Sequence, residues 1–237
     1  MSADPAAFPR LAELCGRYAL DRGQQAQLAA VLSALQADQL APTTVTAPHE
    51  AVDVHVADSL VAHELDVVRS ARMIADIGAG AGFPGVPLAV ALPDAEVHLV
   101  ESVAHRCAWL RSLLARAGVR NASVQCTRAE AWPEGVGRHD LVLARALAPQ
   151  PVVLEYAAPL LRVGGSLIDW RGVRAPAQEA KAALAADLLG LSRPAIHRVS
   201  PYPAARDHHL HVFTKVAETP ERFPRRPGIA RKRPLGG

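Results

Sequence analysis

Apolar residues in the first part of the chain return at intervals of three and four. Leu11, Leu14 and Tyr18 form one such series, and Leu28, Val31, Leu32 and Leu35 form another. That is the period of a helix with one buried face, so two amphipathic helices are predicted between residues 11 and 40. Pro42 and Pro48 bracket a Thr-rich break, after which 51–68 resumes the helical period with Val52, Val56, Leu60 and Val67 on or near one face. From Arg72 the texture changes. Short apolar runs at 73–77, 97–100, 123–126, 141–144, 166–170 and 209–216 alternate with longer Ala/Leu-rich stretches at 104–117, 149–161 and 176–189. Strands alternating with helices imply βαβ units, and hence a doubly wound, mostly parallel α/β sheet. The expected plan is an N-terminal helical cap (1–70), an α/β domain (71–217) and a C-terminal tail (218–237).

Composition adds limits. A chain of 237 residues that is 50% hydrophobic can bury a full core. No apolar run reaches the roughly 18 to 20 residues needed to cross a bilayer. Residues 1–10 carry Asp4, Pro5 and Pro9 where a secretory signal needs a basic start and an apolar middle, so a cytoplasmic location is expected. Cys15, Cys107 and Cys126 are odd in number and widely spaced, and read as reduced, mostly buried residues rather than a disulfide or zinc framework. The net charge of +3 is unevenly placed. From Glu218 onward six basic residues (Arg222, Arg225, Arg226, Arg231, Lys232, Arg233) face two acidic ones, which leaves the body slightly negative. A polyanionic partner docking on the tail is one reading, and a solvated appendage is the other.

The candidate chemistry begins where the run 73–77 enters Gly78-Ala79-Gly80-Ala81-Gly82-Phe83-Pro84-Gly85, with a helix expected near Pro84. Glycines let a backbone turn sharply and let a ligand approach closely. In such sheets ligands lie at the carboxyl ends of the strands. The next strand ends in Glu101, a carboxylate able to accept ribose hydroxyls, so loop and carboxylate together define a nucleoside site. Gly80-x-Gly82-x-x-Gly85 also satisfies the dinucleotide fingerprint. The register beginning at Asp76 fits better, because Asp76-Ile77-Gly78-x-Gly80-x-Gly82 is the pattern of class I (Rossmann-like) methyltransferases. An acidic residue at the loop mouth suits the positive sulfonium of S-adenosyl-L-methionine and repels a pyrophosphate. Glu130 follows the third strand, where an acidic residue with a neighbouring amide commonly holds the adenine of that cofactor. Leu143-Ala144-Arg145-Ala146 ends the fourth strand, and it lacks the Asp/Asn-Pro-Pro-aromatic motif of enzymes that methylate exocyclic amines.

These residues, together with His55-Val56-Ala57-Asp58-Ser59-Leu60, Val86-Pro87-Leu88, Leu99-Val100-Glu101-Ser102, Arg106 and Arg222-Phe223-Pro224-Arg225-Arg226-Pro227-Gly228, resemble the bacterial 16S rRNA guanine-N7 methyltransferases, the glucose-inhibited division protein B family. Departures from that pattern are Ala41-Pro42-Thr43 before the His55 segment, Arg171-Gly172 where Lys-Gly is usual, and Ala230 where proline is common. The resemblance implies methyl transfer from S-adenosyl-L-methionine to N7 of a guanine, with 16S rRNA or the 30S subunit as partner and neither a membrane nor a protein partner. The implied cofactor contacts are Gly78, Gly80, Gly82, Phe83, Glu101, Ala129, Glu130 and Arg145. The implied RNA contacts are His55, Asp58, Arg171, Arg222, Arg225, Arg226 and Lys232. No general base and no metal are implied, and Arg145 would act by positioning.

Individual residues admit plainer readings. His55 and Asp58, three apart on a helix, share a face and can line the site, although such a pair alone is more often surface and cap. His208 falls on the opposite strand face from His209 and His211, which argues against a metal site. Trp109, Trp132 and Trp170 could stack on a base, with a core role the default for Trp109. The alternatives to an rRNA enzyme are a methyltransferase acting on another substrate, an NAD-dependent oxidoreductase, and a binding module without chemistry. The tail, Asp76 and the intact loop respectively argue against these.

Overall fold

The computed structural model describes residues 8–38, 41–45 and 47–236. The expected helix limit at Leu40 and the segment 1–7 lie outside them. Two N-terminal helices form as the periodicity predicts, α1 (Pro9–Arg17) and α2 (Arg22–Ala37). Asp21 starts α2 with a reciprocal cap: its Oδ1 accepts the Gln24 N–H, and the Gln24 Oε1 accepts the Asp21 N–H, both at 2.8 Å. The Gln24 amide also donates to the Val90 carbonyl, which fastens the cap to the α/β layer. The stretch 48–64 is helical but irregular, with a π-helical segment Val52–Ala57 that carries His55. Such π segments are frequent at functional sites.

The α/β part comprises β1 (Met73–Ile77), α3 (Gly85–Ala91), β2 (Glu96–Glu101), α4 (Ala104–Ala117), β3 (Ala122–Cys126), β4 (His139–Arg145), α5 (Gln150–Ala157), β5 (Leu161–Arg171), α6 (Pro176–Leu189), β6 (Ala195–Val199) and β7 (His208–Thr214). They form one seven-stranded sheet of order β3-β2-β1-β4-β5-β7-β6. β1 to β5 pair in parallel, and β7 runs antiparallel to both β5 and β6. The order reverses between β1 and β4, so the crevice outside their carboxyl ends is the place for a ligand.

Two details differ from the expectation. The helix expected to reach Leu161 ends at Ala157, and the chain turns through Ala158–Leu160 around Pro159 so that Leu161 already belongs to β5. β6 was not foreseen. It pairs only with β7, and its residues are half-buried or exposed, so it lacks the apolar run that marks the inner strands.

The N-terminal helices are a layer of the same core rather than a separate one. Leu11, Leu28, Leu32, Val56 and Leu60 join Ile74, Leu88, Leu99, Leu110 and Leu143 in one continuous apolar cluster. A second cluster, on the opposite side of the sheet, gathers α5, α6, Val142 and Phe213 with Phe223 and Ala230 of the tail. No helix among the described residues is long and apolar enough to cross a membrane.

The cysteines correct the sequence reading. Cys107 in α4 and Cys126 at the end of β3 are joined as a disulfide with Cα atoms 5.8 Å apart, and only Cys15 is free and buried. The pair is invisible in the spacing because it is made by topology. β3 lies beside β2 with Glu101 opposite Cys126, and α4 starts directly after β2, so Cys107 returns to the same corner.

Candidate functional site

The glycine loop is held from below. Asp76 is 1% exposed, and its Oδ2 accepts the Gly85 N–H at 2.8 Å where α3 begins. Burial raises this carboxyl to about 7, against the lowering effects of the Gly85 N–H and Arg145. Asp76 therefore fastens the loop to α3 and does not stand at its mouth, as the sequence suggested. This arrangement explains the Phe83-Pro84-Gly85 extension. A Cβ on Gly85 would come within 2.6 Å of Asp76 Oδ2 and 2.5 Å of Leu99 Cδ2, so only glycine allows the approach. Gly78 has φ +74° and packs against Leu147, which a Cβ would strike at 2.5 Å.

A cleft of about 440 Å³ opens at the carboxyl ends of β1 to β4. Its volume is within the roughly 300 to 1,000 Å³ of small-molecule sites. Among the residues singled out from sequence, Gly78, Glu101, Arg106, Ala129 and Glu130 line it. Glu101 is 4% exposed. Its Oε1 accepts the N–H groups of Ser102 (2.7 Å) and Val103 (2.9 Å), its Oε2 accepts the Gly80 N–H (3.1 Å), and the Arg106 guanidinium stands 3.9 Å away. Glu130 Oε1 accepts the Gly228 N–H at 3.2 Å and faces Arg128 at 3.8 Å.

Sequence reasoning did not find Leu147, Tyr156 or Arg231, which complete the walls. Tyr156 sits in a helix whose sequence gives no sign of a site, and Arg231 lies in a tail that carried no signal for this place.

The remaining expected residues gather beside the cleft, at the end of β4. Arg145 donates from Nη1 to Asp58 Oδ2 at 2.7 Å and to the Val54 carbonyl at 3.0 Å. Its guanidinium carbon lies 5.8 Å from the centre of the Phe83 ring. That ring stacks on His55 with centroids 4.5 Å apart and an interplanar angle of 12°. The π-helical segment thus places His55 against the glycine loop, and Asp58, three residues on, against β4. Burial, with Arg145 adding to it, lowers His55 to about 4, so the ring is neutral. Its Nε2 lies 3.0 Å from the Val45 carbonyl, which fixes the proton there and makes Nδ1 an acceptor. His55 Nδ1 and Asp58 Oδ1 are both buried and have no hydrogen-bond partner among the described residues.

Gly80, Gly82 and Phe83 shape the loop behind the cleft rather than its lining. His208 Nε2 approaches Asp58 at 3.8 Å, whereas His211 on the other strand face meets Gln150 at 3.1 Å. The three tryptophans are each 7% exposed and serve packing, with the Trp170 indole N–H bonded to the Asp58 carbonyl.

The residues expected to meet RNA divide. Arg222, Arg226 and Lys232 are exposed. Arg171 is held by the buried Asp169 at 2.6 Å, and Arg225 forks onto the buried Glu155 at 2.8 and 2.5 Å. These two cations are committed inside the protein, a use that residue type alone does not reveal.

Among solved structures, the fold resembles cofactor-bound Rv0187 from MTB (TM-score 0.56, 22% identity, 81% of this chain and 90% of that one). It also resembles a SAM-dependent O-methyltransferase from Thermotoga maritima (TM-score 0.53, 20% identity, 69% and 66%). With a glycine loop and a buried carboxylate at the switch point of this sheet, the protein is an S-adenosylmethionine-dependent methyltransferase. It belongs to the rRNA small subunit methyltransferase G (GidB) family, whose model matches residues 25–200. Ribosomal RNA small subunit methyltransferase G of Synechococcus sp. (strain JA-3-3Ab) is 36% identical over 99% of this chain and 97% of its own length. The protein of the same name from Lacticaseibacillus paracasei is 35% identical over 99% of both chains.

Proposed function

We propose that this protein transfers a methyl group from S-adenosylmethionine to N7 of a guanine in 16S rRNA of the small ribosomal subunit, in the cytoplasm. The observation that carries the reading is the Asp58–Arg145 pair at the end of β4, with Asp58 Oδ1 holding no hydrogen bond among the described residues and His208 Nε2 3.8 Å away. Guanine presents N1–H and N2–H donors on one edge and the N7 lone pair on the other. A carboxylate fixed by Arg145 receives the donor edge and leaves N7 free.

The cleft fits the cofactor. Glu101 keeps an acceptor position for a ribose hydroxyl, Gly78 brings backbone close, and Ala129 with Glu130 offers an amide and a carboxylate to adenine. Gly80, Gly82 and Phe83 support the methionine end, and Arg145 reaches the boundary between the two halves of the site. When bound, the cofactor supplies a methyl group on a positive sulfonium. N7 carries an in-plane lone pair at neutral pH, so no proton leaves it before attack. The site matches this need: Arg145 is a paired cation, and His55, held near 4, is too weak a base to matter. Catalysis reduces to alignment and exclusion of water, which can supply up to about 7 to 11 kcal/mol. The exposed Arg222, Arg226 and Lys232 give the phosphate backbone a docking face.

The test is a panel of acceptors: 30S subunits, deproteinised 16S rRNA, DNA and a metabolite pool, each incubated with methyl-labelled S-adenosylmethionine. Label is expected in the ribosomal RNA. Label confined to a metabolite or to DNA would overturn the reading in favour of a non-RNA substrate.

A further inference from the structure

The chain beyond Glu218 reads as an appendage, yet it is built into the protein. Phe223 (9% exposed) and Ala230 (3%) are buried in the cluster around α5. Arg225 is locked to Glu155, and its Nη2 also donates to the Arg233 carbonyl at 2.8 Å, tying the two ends of the tail together. Gly228, at φ +84°, turns the chain so that its N–H meets Glu130. One helical turn follows, Ile229–Lys232, and brings Arg231 over the cleft. There Arg231 donates from Nη2 to the Leu147 carbonyl at 3.1 Å, reaches the Tyr156 hydroxyl, and forms part of the wall beyond Glu101.

Tail cations therefore have three directions: Arg222, Arg226, Lys232 and Arg233 face solvent, Arg225 turns inward to Glu155, and Arg231 faces the cleft. The position of Arg231 is chemically specific. Gly78 of the glycine loop, Glu101, Glu130 and Arg231 line one cleft, and Glu130 and Arg231 both act on the Tyr156 hydroxyl between them. A carboxylate that only accepts and a guanidinium that only donates, lining the same cleft, match a purine edge carrying an exocyclic amine next to a ring nitrogen acceptor.

We propose that Arg231, set by the Gly228–Glu130 contact, is a cofactor-contact residue that completes the adenine end of the site, so that the tail closes the nucleoside pocket as well as offering cations to RNA. This rests on the cleft being the S-adenosylmethionine site. Arg231 is exposed, and among the described residues its guanidinium bonds to the cleft wall at the Leu147 carbonyl and the Tyr156 hydroxyl, so replacing it spares the Phe223 and Arg225 anchors.

The experiment is calorimetric titration of wild type, Arg231→Ala and Arg231→Lys with S-adenosylhomocysteine and with 5′-methylthioadenosine, which shares the nucleoside and lacks the amino acid. Thermal midpoints serve as the folding control. Arg231→Ala is expected to weaken both ligands by the same factor, about tenfold for one bond from a charged donor. Arg231→Lys, which keeps the charge and loses the fork, should not restore affinity. Unchanged binding of both ligands, with a loss only in RNA affinity, would overturn the proposal, as would a loss confined to S-adenosylhomocysteine, which would put Arg231 at the amino-acid end. If wild type binds neither ligand, the cofactor assignment itself fails and the proposal with it.

Discussion

Glu101→Gln is the sharpest single perturbation of the cleft, because one atom changes and the geometry sets the cost. An ionised carboxylate offers about four lone-pair positions. Three are taken by the N–H groups of Gly80, Ser102 and Val103, so one, on Oε2, remains for a ribose hydroxyl. Glutamine can keep its oxygen toward Ser102 and Val103, at 2.7 and 2.9 Å, and then presents NH₂ to both the Gly80 N–H and the hydroxyl. The expected loss in binding is one hydrogen bond to a charged group, roughly 1.5 to 3 kcal/mol, or about a 10- to 150-fold weaker dissociation constant. The assay is titration calorimetry with S-adenosylhomocysteine, alongside a thermal melt without ligand to measure the separate cost of the strained Gly80 contact. An affinity within about twofold of wild type, with the protein folded, would refute the placement of the ribose at Glu101.

Three other outcomes follow from the packing. Gly85→Ala is expected to destabilise by about 1 to 3 kcal/mol in urea unfolding, because its Cβ meets Asp76 and Leu99 well inside contact distance; a neutral change would mean the loop can shift freely. Burial holds His139 at about 4, below its ordinary 6.5, so the unfolded chain takes up the proton first and stability falls as pH drops from 6.5 toward 4. The cost of His139→Gln should therefore be smaller at pH 4.5 than at pH 7.5 by about 2 kcal/mol, and a cost independent of pH would contradict the assignment. Reduction of Cys107–Cys126, which spans 19 residues, should cost wild type about 3 kcal/mol and Cys126→Ser nothing, read as a reductant-dependent shift in the unfolding midpoint.

Much of the fold was legible because its signals are local. The period of Leu28, Val31, Leu32 and Leu35 is enough to mark α2, and the apolar runs that became β1, β2 and β4 are buried on both faces of the sheet. β6 escaped because an edge strand needs no such run. The turn at Pro159 was hidden in a stretch of helix-forming residues that tertiary pairing drew into β5. At the site, Gly78, Glu101 and Glu130 were visible since a strand end followed by glycine or acid is itself the signal, and Ala129 came with the family resemblance. Asp76 was found, but its role was misplaced, because its Gly85 partner comes nine residues later in a turn whose shape sequence does not give. The commitment of Arg225 to Glu155 depends on a buried carboxylate seventy residues away, and the Cys107–Cys126 pair on the meeting of α4 with β3, whereas Arg171 and Asp169 stand two apart on one face of β5, a local pair missed because the expected strand stopped at Trp170. The two long-range pairings are made by the folded topology, and no spacing along the chain encodes them.

The central claim is the acceptor atom. Two preparations of 16S rRNA, one ordinary and one with 7-deazaguanine in place of guanine, are incubated with methyl-labelled S-adenosylmethionine, digested to nucleosides and resolved. The account predicts label in 7-methylguanosine from the ordinary RNA and none from the deaza RNA, while the two bind the protein with nearly equal affinity. Label in an N2-methylated guanosine or a methylated ribose, or continued transfer to the deaza RNA, would contradict it.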